Sequence, residues 1–267
     1  IGFARGIQSK NILATAKHFP GHGDSSKDSH LTLPTINFDE KRIKNVELYP
    51  FKKLIEKGLS SIMIAHLNIP SLEKENMLPS TLSKNIIENL LIKELNFKGL
   101  IITDALEMKG VSEYTKRNVD LMAFLAGNDI LLMSSDVSKG IKAIKKSYNK
   151  GKISEERLSR SVKKILKAKY KVGLNNYEMI ETENLIKDLN NISSVNLINS
   201  TIESIPTLIK NKHDMLPVKL DTESIINLQL GNDTGSTFNK YLNKYKNVNS
   251  NKFFLRLMKS KLKSLLK

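Results

Sequence analysis

Apolar residues recur along this chain in two alternating rhythms. Short unbroken runs read as buried strands: Ile12-Leu13-Ala14-Thr15-Ala16, Ser60-Ser61-Ile62-Met63-Ile64-Ala65-His66, Phe97 to Thr103, and Asp129-Ile130-Leu131-Leu132-Met133. Between the runs, apolar positions fall three and four apart. Val46, Leu48, Phe51, Leu54 and Ile55 predict a helix over residues 38–57, stopped by Gly58. Ile86, Ile87, Leu90 and Leu91 predict another over 82–95, with Ser80 or Thr81 as its N-cap. Further helices are predicted over 118–126, ended by Gly127, over 137–149, and over 154–170, capped by Ser154 and ended by Gly173. Residues 4–11 read as the end of a helix leading into the first run.

Strand and helix thus alternate four times with short connections, which predicts parallel βαβ units in an α/β fold. Runs without polar alternation predict strands buried on both faces. Beyond Gly173 the pattern changes. Residues 175–215 are rich in Asn, Ser and Ile and predict a helix or two and a short strand between 184 and 211. Ser224 to Gly231 then reads as a strand and Thr237 to Tyr245 as a helix.

Polar chemistry gathers where the runs end. The first empties into Lys17-His18-Phe19-Pro20-Gly21-His22-Gly23-Asp24-Ser25-Ser26-Lys27-Asp28-Ser29-His30, which holds three of the chain's five histidines. Pro20-Gly21 and Gly23 mark a loop. His66 ends the second run and Asp104 follows the third. Polar groups at the C-terminal ends of successive parallel strands are characteristic of (β/α)8 barrels. By residue type alone, the His-rich loop reads as a catalytic or binding loop, a metal site or a polar turn.

Composition narrows the classes. Forty per cent hydrophobic content allows a sizeable core, and the absence of cysteine excludes disulfides, thiolate nucleophiles and Cys-ligated zinc. The net charge of +16 comes from lysines scattered along the chain, without an Arg-rich block or interleaved aromatics, so nucleic acid is not an expected partner. No apolar run reaches the roughly 20 residues of a membrane span. The basic stretch from Lys252 to Lys267 can form an amphipathic helix for a membrane surface or a partner, with a frayed terminal helix as the simpler expectation. No secretory signal is visible, and the chain opens on Ile1, so the compartment stays open between cell envelope and cytoplasm.

The loop from Lys17 to His30 resembles the signature K-H-F-P-G-H-G-x4-D-S-H of family 3 glycoside hydrolases, in their β-N-acetylglucosaminidase branch. Downstream, Gly99-Leu100-Ile101-Ile102-Thr103-Asp104-Ala105-Leu106-Glu107-Met108 resembles that family's nucleophile strand. The resemblance implies the second half of a (β/α)8 barrel over residues 1–174, a linker over 175–215, and the incomplete start of an α/β sandwich domain with a basic tail over 216–267. It implies a retaining hydrolase that removes terminal β-linked N-acetylglucosamine, with peptidoglycan fragments as the expected source, and no cofactor.

The resemblance also assigns roles. Asp104 would be the nucleophile, and His30 the acid/base, paired with Asp28 two residues earlier. A neutral imidazole titrates near physiological pH, and a neighbouring carboxylate fixes its tautomer. The same pair could instead bind metal, with His18 and His22 as the near further ligands. Lys17 and His18 resemble a pair that hydrogen-bonds sugar hydroxyls. His66 reads either as a sugar contact or as a satisfied histidine behind the site. His22 reads as loop structure.

Two rivals remain at this stage. The same machinery can cleave with phosphate in place of water, or the chain is an inactive glycan-binding or assembly fragment. The family's upstream sugar-binding arginine and aspartate have no counterpart here, and Arg5 lies on the wrong element to replace them. A half barrel exposes strand edges and apolar surface, so the chain is expected to need the missing half or self-association for a stable fold.

Overall fold

A computed structural model describes residues 1–25, 32–218, 226–230, 236–245 and 249–253. The chain divides into two units, Ile1–Met179 and Ile180–Lys267.

The first unit is an arc of parallel strands backed by helices. Helix α1 (Gly2–Gln8) precedes strand β1 (Thr15–Phe19). The predicted helix over 38–57 is a helical stretch in three parts: α2 (Glu40–Arg42), a π-turn (Ile43–Glu47) and α3 (Tyr49–Glu56). Asp39 caps it by accepting the Arg42 amide at 2.7 Å, and Gly58 ends it at φ +76°. Strand β2 (Ser61–Ile64), a wide helix (Asn85–Glu94) and strand β3 (Leu100–Thr103) follow. Then come α4 (Lys109–Ser112), α5 (Val119–Ala126), α6 (Val137–Asn149) and α7 (Glu155–Lys171).

The sheet order is β1-β2-β3, all parallel. The central strand has its apolar residues buried as unbroken runs demand, with Ile62 and Ile64 inaccessible to solvent. They pack with Phe19, Ile43, Leu48, Ile86, Ile87, Leu91 and Ile101 in the main core. A smaller cluster joins Leu78, Leu82, Leu106, Val111 and Ala123.

Several expectations need correction. The first strand starts later than predicted, at Thr15, and runs into the His-rich signature. It is also not buried on both faces: Ile12, Thr15 and Lys17 are exposed, because no strand among the described residues pairs with its outer edge. The run from Asp129 to Met133 is not a full strand but a single bridge, Ile102 to Ile130. There the Thr103 hydroxyl accepts the Leu132 amide at 2.9 Å in place of a ladder carbonyl, and Met133 turns to φ +47°, which ends the extended conformation.

Capping is corrected as well. Neither Ser80 nor Thr81 caps the helix Asn85–Glu94; the hydroxyl oxygens of both lie 2.7 Å from the Ala65 carbonyl, and Ser83 accepts the Ile86 amide at 3.1 Å. The expected short strand between 184 and 211 is absent from those described residues, which form α8 (Leu185–Leu189) and α9 (Ile192–Ser204).

Asp129 has a different task from strand pairing. Its carboxylate accepts from the Ile101 amide at 3.0 Å, Ser161 Oγ at 2.5 Å and Lys164 Nζ at 2.9 Å. This buried charge is paired and hydrogen-bonded, and it ties α7 to the sheet. The Arg157 guanidinium adds bonds to the carbonyls of Phe124 and Asn128, each at 2.7 Å.

In the second unit, strand β4 (Ile226–Leu230), helix α10 (Ser236–Leu242) and strand β5 (Asn249–Phe253) form one parallel βαβ unit. The predicted strand and helix are therefore present. Lys252 and Phe253 belong to β5 instead of a basic helix, and residues 254–267 of that expectation lie outside the described residues. Among the described residues, no helix is long and apolar enough to cross a membrane.

Candidate active site

Parallel pairing brings the C-terminal ends of β1, β2 and β3 to the same end of the sheet. At the end of β3 the Asp104 amide donates to the Ile64 carbonyl at 2.9 Å, which sets the direction in which the side chain leaves the strand. Its Oδ1 accepts the Ala105 amide at 2.9 Å. Its Oδ2 faces His18 Nε2 at 3.6 Å, beyond hydrogen-bond length but within ion-pair distance when the ring is protonated. The Asp104 side chain is 17% exposed and that of His18 30%, so both are largely desolvated yet reachable.

A bulge in β1 creates this approach. Ala16 pairs with Ile62 and Phe19 with Ile64, so Lys17 and His18 together stand opposite Met63 alone. A β-bulge re-aims side chains that strict alternation would send to opposite faces. The peptide between Lys17 and His18 is cis. Lys17 is exposed beside His18.

Of the two readings of His66, the geometry has the features of the satisfied histidine behind the site. It lies two residues beyond β2, fully buried, with Nδ1 2.6 Å from Thr81 Oγ1 and Nε2 2.9 Å from the Ala105 carbonyl. A carbonyl only accepts, so Nε2 carries a proton. Burial lowers the pKa of this ring, outweighing the opposite pull of the Ala105 carbonyl and the Asp104 charge. The ring is therefore neutral, and Nδ1 takes the Thr81 hydroxyl proton. Ala65 O keeps the Ser80 hydroxyl at 2.7 Å. With both nitrogens engaged, His66 offers no atom to a sugar; it holds the Ala105 peptide, and through it the carboxylate of Asp104.

This arrangement has a measurable consequence for stability. An unfolded histidine titrates near about 6.5. Below that pH the unfolded chain takes a proton that folded His66 refuses, so the His66 contribution is complete above about 6.5 and is lost as pH falls. Thermal midpoints recorded from about pH 8 down to about pH 5 should drop across this window, and His66→Gln should flatten that drop while lowering the midpoint at neutral pH. An equally steep drop in the variant would assign the acid sensitivity elsewhere.

The loop after β1 is shaped by close approach. Gly21 has φ +136°, and a β-carbon there would lie 2.6 Å from Glu47 Cβ, so only glycine fits. His22 Nδ1 meets Ser25 Oγ at 2.7 Å, and the His22 ring stands edge-on to His18 with centroids 5.9 Å apart. A cleft of about 430 Å³ runs beside the loop, walled by Lys17, His18, His22, Asp24 and Glu47 and floored by Phe51 and Leu54. Among the described residues no three His, Asp or Glu side chains are grouped to hold a metal ion.

Asp28 and His30 lie outside the described residues. Of the other sequence candidates, Asp104 and His18 are brought together, Lys17 flanks them and His66 stands behind them. The close pairing of His18 with Asp104 was not legible in the sequence. Nor was the part played by Arg42 and Glu47, whose helical segment gave no signal beyond charge.

Comparison with known proteins identifies relatives of the chain. The chain is 32% identical over 188 residues to beta-hexosaminidase A of Pseudoalteromonas piscicida, covering 63% of this chain and 31% of that protein. It is 38% identical over 138 residues to a beta-hexosaminidase of Glaesserella parasuis serovar 5, covering 50% of this chain and 39% of that one. It superposes with a TM-score of 0.80 and 28% identity on a glycoside hydrolase family 3 beta-N-acetylglucosaminidase from Paenibacillus sp., covering 98% of this chain and 52% of that chain. The chain thus spans about a third to a half of these relatives' length. Residues 1–168, which include the strand ends, the His-rich loop and Asp104, match the family described as the glycosyl hydrolase family 3 N terminal domain, and the chain belongs to that family.

Proposed function

We propose that this chain carries the catalytic face of a retaining β-N-acetylhexosaminidase, a glycosidase acting on a terminal β-linked N-acetylglucosamine of an amino-sugar glycan such as a peptidoglycan fragment. The observation that carries the reading is Asp104. It sits at a strand's C-terminal end, with one oxygen held by the Ala105 amide and the other open toward His18. Such a carboxylate is oriented for attack and is not consumed by structural bonding. The names of the relatives support the substrate class.

In the proposed cycle, Asp104 Oδ2 attacks the anomeric carbon while the glycosidic C–O bond breaks, and the departing oxygen takes a proton from His30. His30, held in tautomer by Asp28, then takes a proton from water. That water attacks the anomeric carbon and releases Asp104. Lys17 and His18 supply hydrogen bonds to sugar hydroxyls. No cofactor has a step to perform. We read residues 1–174 as the second half of the barrel, 175–215 as the linker and 216–267 as the start of an α/β sandwich domain.

The test is release of 4-nitrophenol from 4-nitrophenyl N-acetyl-β-glucosaminide, with and without phosphate. Phosphate-independent release of N-acetylglucosamine is the expected result. Release that requires phosphate and yields the sugar 1-phosphate would replace hydrolysis by phosphorolysis. No release under either condition, with the complementary barrel half present, would favour a glycan-binding fragment.

A further inference from the structure

A cation on the neighbouring helical segment reaches the His-rich loop at Asp24. Arg42 Nη2 lies 2.6 Å from Asp24 Oδ2 and 3.1 Å from Glu47 Oε1, and its guanidinium carbon is 4.3 Å from the centre of the Phe38 ring. Asp24 and Phe38 flank the segment of sequence that holds Asp28 and His30. One side chain therefore touches both flanks of the loop, and Glu47 anchors that side chain from below.

The anchor is buried and the loop end is not. The Glu47 side chain is 6% exposed, that of Asp24 50%. Glu47 Oε2 and Arg42 Nε are buried with no hydrogen-bond partner among the described residues, so the pair leaves polar capacity unmet and is a poor device for stability alone. It sits where Gly21 leaves no room for a β-carbon against Glu47 Cβ. From there contacts run through His22 to His18, and from His18 to Asp104.

We propose that Arg42 is a positioning residue. It staples the loop over residues 21–25 to Glu47, and so sets where His22 and His18 stand relative to Asp104. The catalytic consequence rests on the glycosidase reading above; the staple itself does not. Lysine would keep the charge but lose the planar guanidinium that lies over the Phe38 ring while its Nη2 meets both carboxylates. Asparagine at Asp24 strips the charge from the exposed arm alone and leaves the buried pair intact.

The experiment compares the parent chain with Arg42→Met, Arg42→Lys and Asp24→Asn. Ring nitrogen signals of His18 and His22 are read by NMR, assigned through His18→Gln and His22→Gln, with His66 and His213 as internal references. Amide exchange is followed over residues 21–25. Arg42→Met and Asp24→Asn should shift the His22 and His18 signals and speed that exchange, while His66 and His213 stay in place. Arg42→Lys should restore part of the shift.

In whatever assembly hydrolyses the glycoside, kcat should fall about tenfold or more in Arg42→Met with KM little changed, as misplacement of reacting groups predicts. If Arg42→Met fails to fold, Asp24→Asn carries the test. Unmoved His18 and His22 signals in Asp24→Asn would overturn the proposal, as would His66 and His213 signals moving equally, which marks general loosening. Shifted signals with an unchanged kcat would overturn the positioning role. A chain silent toward every glycoside, whose His18 and His22 signals still respond to Asp24→Asn, would sink the glycosidase reading and support the staple.

Discussion

Replacing Asp104 with alanine is expected to cut turnover of 4-nitrophenyl N-acetyl-β-glucosaminide by about 10⁴-fold, because loss of the nucleophile removes the covalent path and leaves only binding and electrostatics. The fold should survive. Among the described residues the Asp104 side chain makes one hydrogen bond, to the Ala105 amide, and water can replace it at a partly exposed strand end. Asp104→Asn is the sharper comparison: it keeps the shape and that hydrogen bond but cannot form a glycosyl ester. If both variants lose activity equally, with melting unchanged, the carboxylate acts by attack. Added azide should then restore some turnover of Asp104→Ala and give the glycosyl azide of inverted configuration. Retention of more than a tenth of parental activity in Asp104→Ala would remove Asp104 from the chemistry.

A second large effect is expected in assembly. Among the described residues, the outer edge of β1 has no partner strand, and the opposite end of the sheet finishes in the single Ile130 bridge. Unpaired edges of this kind invite pairing with another chain. Val137 and Ile141 on α6 and Val162, Leu166 and Tyr170 on α7 stand exposed at helical spacing, an apolar face larger than scattered surface residues present. We propose that this chain by itself associates or aggregates. Supplying the part of the relatives' barrel that it does not match should yield a soluble complex whose turnover rises by about 10²-fold or more, as reacting groups are brought into place. Sedimentation and a circular dichroism melt decide the matter. A monodisperse monomer at micromolar concentration with a cooperative melt would refute the expectation.

Much of the site was legible because its chemistry is local in the chain. Lys17, His18, the glycines of the loop and Asp104 lie at the ends of apolar runs, and in parallel βαβ units strand ends meet on one side. The cap at Ser154 and the stops at Gly58, Gly127 and Gly173 were equally readable, since each depends on a few adjacent residues.

What the sequence by itself determined is thus the alternation of parallel strands and helices, the family, and which polar residues leave the strand ends. Only the tertiary structure decided the rest. The register slip between Ala16 and Phe19 depends on which partner strand lies alongside, and it turns His18 toward Asp104. His66 became a buried support because Thr81 and Ala105 take both its nitrogens from distant points in the chain. The fourth strand shrank to a bridge because the Thr103 hydroxyl took a ladder position. Arg42 joined the loop because Glu47 and Asp24, far apart in charge pattern and unlike in burial, meet at one guanidinium. Each of these outcomes is a long-range pairing, and local propensity carries no information about which distant group arrives to satisfy a donor or an acceptor.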